Sequence, residues 1–397
     1  MRRLHLLGSV AALLIVVAPA AACSSSSSPG GSSGSGGTSS PTATSGPAST
    51  GRAPSPRPSV TACESTKIRD LHTNGTVAQS VVQAPPGTQL LGVAVDRADV
   101  VWAAQPSGKK APIVCQASLA SRKVTGLWSG AVASPPATTP AGVFWVTRNG
   151  TLWQVDHHGR QARPIARKVW HGVAYDPVTG LIAFTDRADP DHNRITVLKT
   201  HPGRPTVYRR FLFPSCTGAI CTRVRSVAIT KKGVAWTQRP TTGSFQGLVS
   251  RRAFASQGSA THRIPRTPAP ALVPGFTTFA FSVKGGYALW PLPAKHVAKA
   301  PKLTGQTLVA VGDGQYYTLR TTPQGVLLQA VSSTGTARVL DNLSVLQSTG
   351  QTAQAGSVSI GPTRICEAVN VYPTASPAEG APASAYVRCA LLPTGSS

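Results

Sequence analysis

One short pattern recurs along most of this 397-residue chain and limits what it can fold into. It is a β-run, often closed by an Asp or Gly turn, then a second β-run carrying an aromatic residue. It stands as Gly92-Val93-Ala94-Val95-Asp96 with Val100-Val101-Trp102, and as Gly142-Val143-Phe144-Trp145. It returns as Gly172-Val173-Ala174-Tyr175-Asp176 with Ile182-Ala183-Phe184, and as Ser226-Val227-Ala228-Ile229 with Gly233-Val234-Ala235-Trp236. Phe279-Ala280-Phe281 with Tyr287-Ala288-Leu289-Trp290 comes next, then Val309-Ala310-Val311-Gly312-Asp313 with Tyr316-Tyr317. The last, degenerate copy is Ser357-Val358-Ser359-Ile360 with Ile365-Cys366-Glu367-Ala368-Val369. Behind several copies stand a third run, a Gly turn and a fourth run, as at 152–159 and 327–335. Alternating apolar and polar positions, punctuated by Gly and Pro, mark strands and almost no helix.

A spacing of about 40–50 residues is the period of a propeller blade. The physical reason for repetition is burial: one four-stranded sheet cannot cover both faces, whereas blades stacked around an axis cover each other and protect their edges. The expectation is an all-β chain, a β-propeller of seven four-stranded blades, with six or eight the adjacent counts. The Trp and Phe residues of the second runs then fill the space between blades. Lys67 to Gln83 precedes the first copy, and the last copy lacks a fourth run. The amino-terminal segment is therefore expected to complete the last blade and close the ring. A pair of β-sandwiches or a jelly roll is the alternative.

Ahead of the repeats lie two other kinds of sequence. Met1-Arg2-Arg3 opens the chain, an apolar run extends from Leu6 to Val17, and Pro19-Ala20-Ala21-Ala22 ends on Cys23. A basic start, a short apolar run and small residues read as a signal sequence. The run is about a dozen residues, where a membrane span needs roughly 20. The ending resembles the lipobox of bacterial lipoproteins. That resemblance implies acylation of Cys23, anchoring on the outer side of a membrane and removal of residues 1–22. Ala20 and Ala22 also make an ordinary secretion site. Beyond Cys23, residues 24–60 are Ser, Gly, Pro, Thr and Ala apart from Arg52, Arg57 and Val60, with no acidic residue, a composition that cannot bury enough apolar surface to order itself. It is expected to be a flexible tether reaching on the order of 35 Å. The domain division is thus 1–22, 23–60 and a β domain over 61–397.

Lys and Arg number 39 against 13 Asp and Glu. Arg2, Arg3, Arg52 and Arg57 precede the β domain, leaving it 35 against 13, a net +22. Such an excess invites an anionic partner, such as a lipid surface or a cell-wall polymer. The basic residues are scattered, however, with short clusters at Arg251-Arg252 and Lys231-Lys232, and no aromatic-interleaved basic motif argues for nucleic acid.

Cys63, Cys115, Cys216, Cys221, Cys366 and Cys389 remain after Cys23. An even count in an exported chain reads as disulfides. Cys216 and Cys221 flank a turn-rich stretch, and Cys366 and Cys389 lie on two apolar runs placed like a hairpin. Cys63 and Cys115 then pair by elimination. No His stands at ligand spacing from any cysteine pair, so neither a metal nor another cofactor is expected.

The search for chemistry is short. Asp96, Asp176 and Asp313 recur after the first run of their repeats, where Asp commonly accepts backbone N–H bonds in a turn. Asp186-Arg187-Ala188-Asp189-Pro190-Asp191-His192-Asn193 is rich in oxygen ligands but lacks regular calcium-loop spacing, so it reads as a loop between second and third strands. His157-His158 reads as an exposed hairpin tip. No nucleophile elbow, phosphate loop or dinucleotide fingerprint is present.

The repeats resemble those of bacterial propeller lipoproteins of the Tyr-Trp-Thr-Asp and NHL kinds over roughly residues 63–397. Asp176-Pro177-Val178-Thr179-Gly180 is similar to part of a quinoprotein blade motif. Thr147-Arg148-Asn149-Gly150-Thr151-Leu152-Trp153 is similar to a sialidase Asp-box fragment. Each occurs once and carries no active site with it. The reading is a membrane-anchored, extracytoplasmic propeller that binds a protein or carbohydrate ligand without catalysis. An electrostatic adhesin for cell-wall or other anionic polymers, and a polymer-acting hydrolase or lyase, are the alternatives.

Overall fold

The computed structural model describes residues 63, 66–71, 79–97, 99–108, 110–187, 192–201, 204–214, 216–217, 220–240, 247–255, 260–264, 272–273, 278–283, 286–291, 298–312, 314–322, 325–346, 350–374 and 381–392. The signal sequence, Cys23 and the tether lie outside the described residues.

Two strands come first, β1 (Lys67–Leu71) and β2 (Gln79–Gln83). Blade 1 is β3 (Gln89–Asp96), β4 (Asp99–Gln105), β5 (Ile113–Ser118) and β6 (Lys123–Ser129). Blade 2 is β7 (Ala137–Thr139), β8 (Gly142–Val146), β9 (Leu152–Val155) and β10 (Arg163–Ala166). Blade 3 is β11 (Val169–Asp176), β12 (Leu181–Arg187), β13 (His192–Lys199) and β14 (Thr206–Pro214). Blade 4 is β15 (Cys216–Thr217), β16 (Ile220–Thr230), β17 (Gly233–Pro240), β18 (Gly247–Ala253) and β19 (Ala260–Ile264). Blade 5 is β20 (Leu272–Val273), β21 (Thr278–Val283), β22 (Gly286–Pro291) and β23 (Ala298–Lys299). Blade 6 is β24 (Gln306–Gly312), β25 (Gln315–Thr322), β26 (Gly325–Ser332) and β27 (Ala337–Asn342). Blade 7 is β28 (Gln351–Ile360), β29 (Arg364–Pro373) and β30 (Ser384–Leu391), completed by β2 and extended by β1.

The chain is a seven-bladed β-propeller. Each inner strand touches the inner strands on both sides: β3 meets β28 and β7, β11 meets β7 and β16, β20 meets β16 and β24, and β24 meets β28. That circuit has no gap. It closes as the sequence predicts, because β2 pairs antiparallel with β30, Gln79 opposite Ala390 and Gln83 opposite Tyr386. No helix among the described residues is long and apolar enough to cross a membrane.

The aromatic residues of the second strands pack backwards onto the preceding blade. Trp102 lies in one cluster with Cys366, Ala368 and Val387 of blade 7. Trp145 joins Val101, Ala103 and Val114 of blade 1, and Phe184 joins Phe144 and Leu152 of blade 2. Trp236 packs on Ala183, Ile195 and Phe211 of blade 3, and Tyr316 on Val273, Ala280 and Leu289 of blade 5. A fully buried side chain of this size contributes roughly 1.5–3 kcal/mol. Two close approaches require glycine: a Cβ on Gly92 of β3 would stand 2.6 Å from Pro135, just ahead of β7 of the next blade, and one on Gly142 would stand 2.2 Å from the Val155 carbonyl oxygen on the neighbouring strand of its own blade.

One repeat is displaced from its expected place. Phe279–Phe281 and Tyr287–Trp290, expected as first and second strands, lie on β21 and β22, the second and third strands of blade 5. The true inner strand is the two-residue β20. Its flanks carry Pro268, Pro270 and Pro274, and proline removes ladder donors, so no alternating run marks it.

Two disulfides sit in one core cluster at the closure. Cys366–Cys389 joins facing residues of β29 and β30, and Cys63–Cys115 ties the segment before β1 to β5 of blade 1. Cys216 and Cys221 face each other in the β15–β16 ladder; their side chains lie outside the described residues.

Candidate functional site

The inner strands surround an axial cavity of about 220 Å³. Its wall is mostly apolar: Val93 of β3, Pro135 and Pro136 ahead of β7, Val173 and Ala174 of β11, Val227 of β16, Leu272 of β20 and Val358 of β28. Val93, Val173, Ala174, Val227 and Val358 come from the first runs of their repeats, and Pro135, Pro136 and Leu272 complete the wall.

The polar groups on this wall are tied to one another. The Tyr175 hydroxyl accepts the Val95 N–H at 2.9 Å and shares a 2.6 Å hydrogen bond with Ser359 Oγ. Ser359 Oγ also accepts from Val95 N–H at 3.1 Å, and Ser357 Oγ accepts from Val93 N–H at 2.9 Å. Tyr175 occupies the same repeat position as Val95. Its side chain passes blade 2 and joins blade 3 to blades 1 and 7. Burial pushes its hydroxyl pKa up to about 12, partly offset by its bonds to Ser359 and Val95. The signal in the sequence was an aromatic residue where other copies carry Val or Ile.

At one end of the cavity Asp176 is fixed as a turn residue. Its Oδ1 accepts from Val178 N–H at 3.0 Å, and its Oδ2 accepts from the Thr179 hydroxyl at 2.6 Å. Asp96, at the matching end of β3, is buried, and its Oδ1 has no hydrogen-bond partner among the described residues. Burial raises its pKa, while nearby His157 and Arg97 act to lower it. Asp313 lies outside the described residues.

His157 departs from its expected place at an exposed tip. It is half-buried, with Nδ1 3.1 Å from Gln116 Oε1 of blade 1 and Nε2 2.8 Å from the Thr139 carbonyl of blade 2. Both ring nitrogens face blade surfaces, so the residue clamps two blades. The sequence showed its turn, formed by Asp156 Oδ1 accepting from the His158 and Arg160 N–H groups. It did not show what packs over that turn.

Asp186, the described carboxylate of the suspected oxygen-rich loop, is held by Arg194. Arg194 Nε donates to Oδ1 at 2.9 Å, and its terminal nitrogen donates to Oδ2. Residues 188–191 lie outside the described residues. Among the described residues no three His, Cys, Asp or Glu side chains converge to hold a metal. The Asp-box-like stretch is a hairpin turn, in which the Thr147 hydroxyl meets Asn149 and the Thr151 carbonyl.

A second buried polar group lies between blades 6 and 7. Arg388 of β30 grips Asp341 of β27 with Nε and a terminal nitrogen, and Glu367 of β29 faces Arg388 across the ladder. All three are buried. Glu367 has its pKa raised well above the usual carboxylate range, first by burial and then by the neighbouring Asp341. Nothing in the sequence marked this trio, whose members come from three strands of two blades.

No protein-family model matches the chain, and no curated protein matches it in sequence. Solved structures do. The β-propeller domain of the trilobed protease from Pyrococcus furiosus covers 72% of this chain and 94% of that one, with TM-score 0.51 and 8% identity. An oligogalacturonate lyase in complex with manganese covers 83% and 97%, with TM-score 0.52 and 10% identity. An acylaminoacyl peptidase from Pyrococcus horikoshii matches 72% of this chain, which spans about half of that protein (51%), with TM-score 0.49 and 9% identity. At such identities the likeness is one of fold.

Proposed function

We propose that this chain is an exported, lipid-anchored propeller that binds a ligand or a partner protein through its axial cavity or the adjoining face, without catalysis. One observation carries the reading. The axial cavity is an apolar chamber whose hydroxyls and Asp176 carboxylate are already engaged by the fold. A mostly apolar chamber with a few placed polar groups suits binding. A general acid or base must instead be within reach of a substrate proton. Cys23 and the tether place the propeller on the outer side of a membrane, held by acyl chains.

The test has two parts. The full chain is immobilised and exposed to envelope extract of the producing cell, beside Val173→Trp, which fills the cavity. A small molecule or protein retained by the wild type and lost in the variant supports the reading. Turnover of a cell-wall or sugar polymer, abolished by Asp96→Asn, overturns it. Mass spectrometry of the mature amino terminus tests the anchor. Acylation at Cys23 is expected, and Cys23→Ser is expected to release the protein into the medium.

A further inference from the structure

The outer strand of blade 3 differs from the rest of the surface. Six large apolar side chains are exposed among the described residues, and three of them, Val207, Tyr208 and Leu212, stand on β14. Leu212 is 64% exposed. Of the seven residues from Thr206 to Leu212 only Phe211 is buried. Phe211 lies under the Arg252 guanidinium of blade 4, and Tyr208 meets Phe254 edge-on, so the strand is anchored from that side.

β14 is also an open edge. It pairs with β13 on one side and with no strand among the described residues on the other. A free edge presents unpaired N–H and C=O groups and is a template for another strand. The fold itself uses such an edge elsewhere, since β1 adds to β2 outside the fourth position of blade 7.

Charge selects the occupant. From His192 to Gly312 the sequence contains 18 Lys and Arg and no Asp or Glu. β14 lies within that stretch, with Arg209 and Arg210 both exposed on it. Neither makes an ion pair among the described residues. Apolar side chains, open backbone groups and arginines on one strand fit a polypeptide. A polyphosphate or polyuronate would use only the arginines.

We propose that β14 is a docking edge for an extended acidic polypeptide, which adds to blade 3 as a fifth strand, with acidic residues on both of its faces, one meeting Arg209 and another meeting Arg210 on the opposite face, where its apolar residues also cover Val207 and Leu212. This surface is separate from the axial cavity and does not depend on what the cavity binds.

The experiment titrates the full chain with a fluorescent ten-residue peptide built from Glu-Glu-Val-Val repeats, which carries both residue types on each face of a strand, at about 0.15 M salt. Saturable binding that weakens as salt rises is expected. Arg209→Glu with Arg210→Glu weakens it about tenfold or more, and Val207→Ser with Leu212→Ser also weakens it. Lys231→Glu with Lys232→Glu, a charge reversal of equal size elsewhere in the acid-free stretch, changes it less than about twofold. Circular dichroism and thermal unfolding check that each variant folds. If the double reversal does not fold, Arg209→Gln with Arg210→Gln replaces it, with an intermediate loss expected. The proposal is overturned if the peptide does not bind, or if polyglutamate of equal length binds as tightly. Equal losses in the two charge reversals, or capture by anionic phospholipid vesicles in place of the peptide, also overturn it.

Discussion

Two buried arginines show how differently the two sides of this ring are built. Arg388, 1% exposed, lies at the closing blade and is held by the Asp341 carboxylate, with Glu367 beside it. Arg251, 6% exposed, lies in blade 4 and sits 4.5 Å over the Trp290 ring of blade 5, donating to the Pro291 carbonyl at 3.2 Å. The first solution uses opposite charge, the second a π face and a backbone dipole. The second accords with its sequence context, because 192 to 312 contains no carboxylate, while the rest of the β domain holds 17 basic residues against 13 acidic ones. The closing side is also bolted by side chains. The Asn370 amide takes both backbone groups of Leu90, at 2.8 and 3.1 Å, and Ser357 and Ser359 take the next inward N–H groups of β3. The lesson is that this ring places its described disulfides and its buried carboxylate-held arginine where the chain ends meet. The acid-free stretch holds Arg251 and Arg252 over aromatic rings.

Removing one member of the carboxylate-held pair breaks that comparison most sharply. Asp341→Leu leaves a buried guanidinium without its counter-ion and is expected to cost about 3–5 kcal/mol in urea unfolding. Arg251→Leu removes a cation–π contact and is expected to cost about 1–2 kcal/mol. Equal costs would mean that the two sides are not held by different physics. The covalent bolt is next. Cys63–Cys115 closes a loop with a sequence separation of 52, and constraining a loop of that length is worth up to about 4 kcal/mol. Cys63→Ser with Cys115→Ser is expected to lower the unfolding midpoint by a corresponding amount. A change no larger than that of a surface substitution would show that strand pairing alone shuts the ring.

Much of the ring was legible in the residues. Repeats, aromatic second strands and a missing fourth strand led to seven blades and to closure by Lys67–Gln83, because burial on both faces of a strand leaves a periodic trace. The pairing of Cys366 with Cys389 followed from the same hairpin logic. What could not be read were contacts fixed by register between distant strands. Arg388 reaches Asp341 across 47 positions, and His157 reaches Gln116 across 41. Local sequence carries a turn signal at His157-His158 but not the blade that covers it. The inner strand of blade 5 was lost for a different reason: its prolines hide a two-residue strand defined only by its place in the ring.

Tyr175 is the side chain that joins the two sides across the axis, and its removal sharpens the comparison more gently. Tyr175→Phe keeps the ring and deletes the hydroxyl that accepts from Val95 N–H and bonds Ser359. The expected cost is about 1–2 kcal/mol. Because the folded pKa is raised to about 12 from 10.0, the neutral hydroxyl favours the fold. Its contribution is complete below pH 10 and is lost as pH climbs towards about 12. Wild type and variant are therefore expected to converge in stability over that alkaline window. Parallel curves would mean that the hydroxyl ionises as freely in the fold as in the unfolded chain.

Glu367 gives the most diagnostic effect. Burial and then Asp341 raise its pKa, and Arg388 acts in the opposite direction. The protonated form therefore belongs to the folded state, while the unfolded chain ionises near pH 4.3, the ordinary value for Glu, to within about a unit. The folded state then holds more protons than the unfolded one, so the contribution of this residue is complete below that pH and declines as pH rises. Glu367→Gln keeps the shape and cannot ionise. Its stability relative to wild type is expected to rise from pH 4 to pH 8, with every other carboxylate cancelling in the difference. Chemical unfolding of both proteins across that range measures it. A flat difference would place an ionised Glu367 in the closing blade and make Arg388 the shared counter-ion of two carboxylates. The closing side would then differ from the acid-free sector by two buried negative charges, and Arg388→Met would cost more than Asp341→Leu.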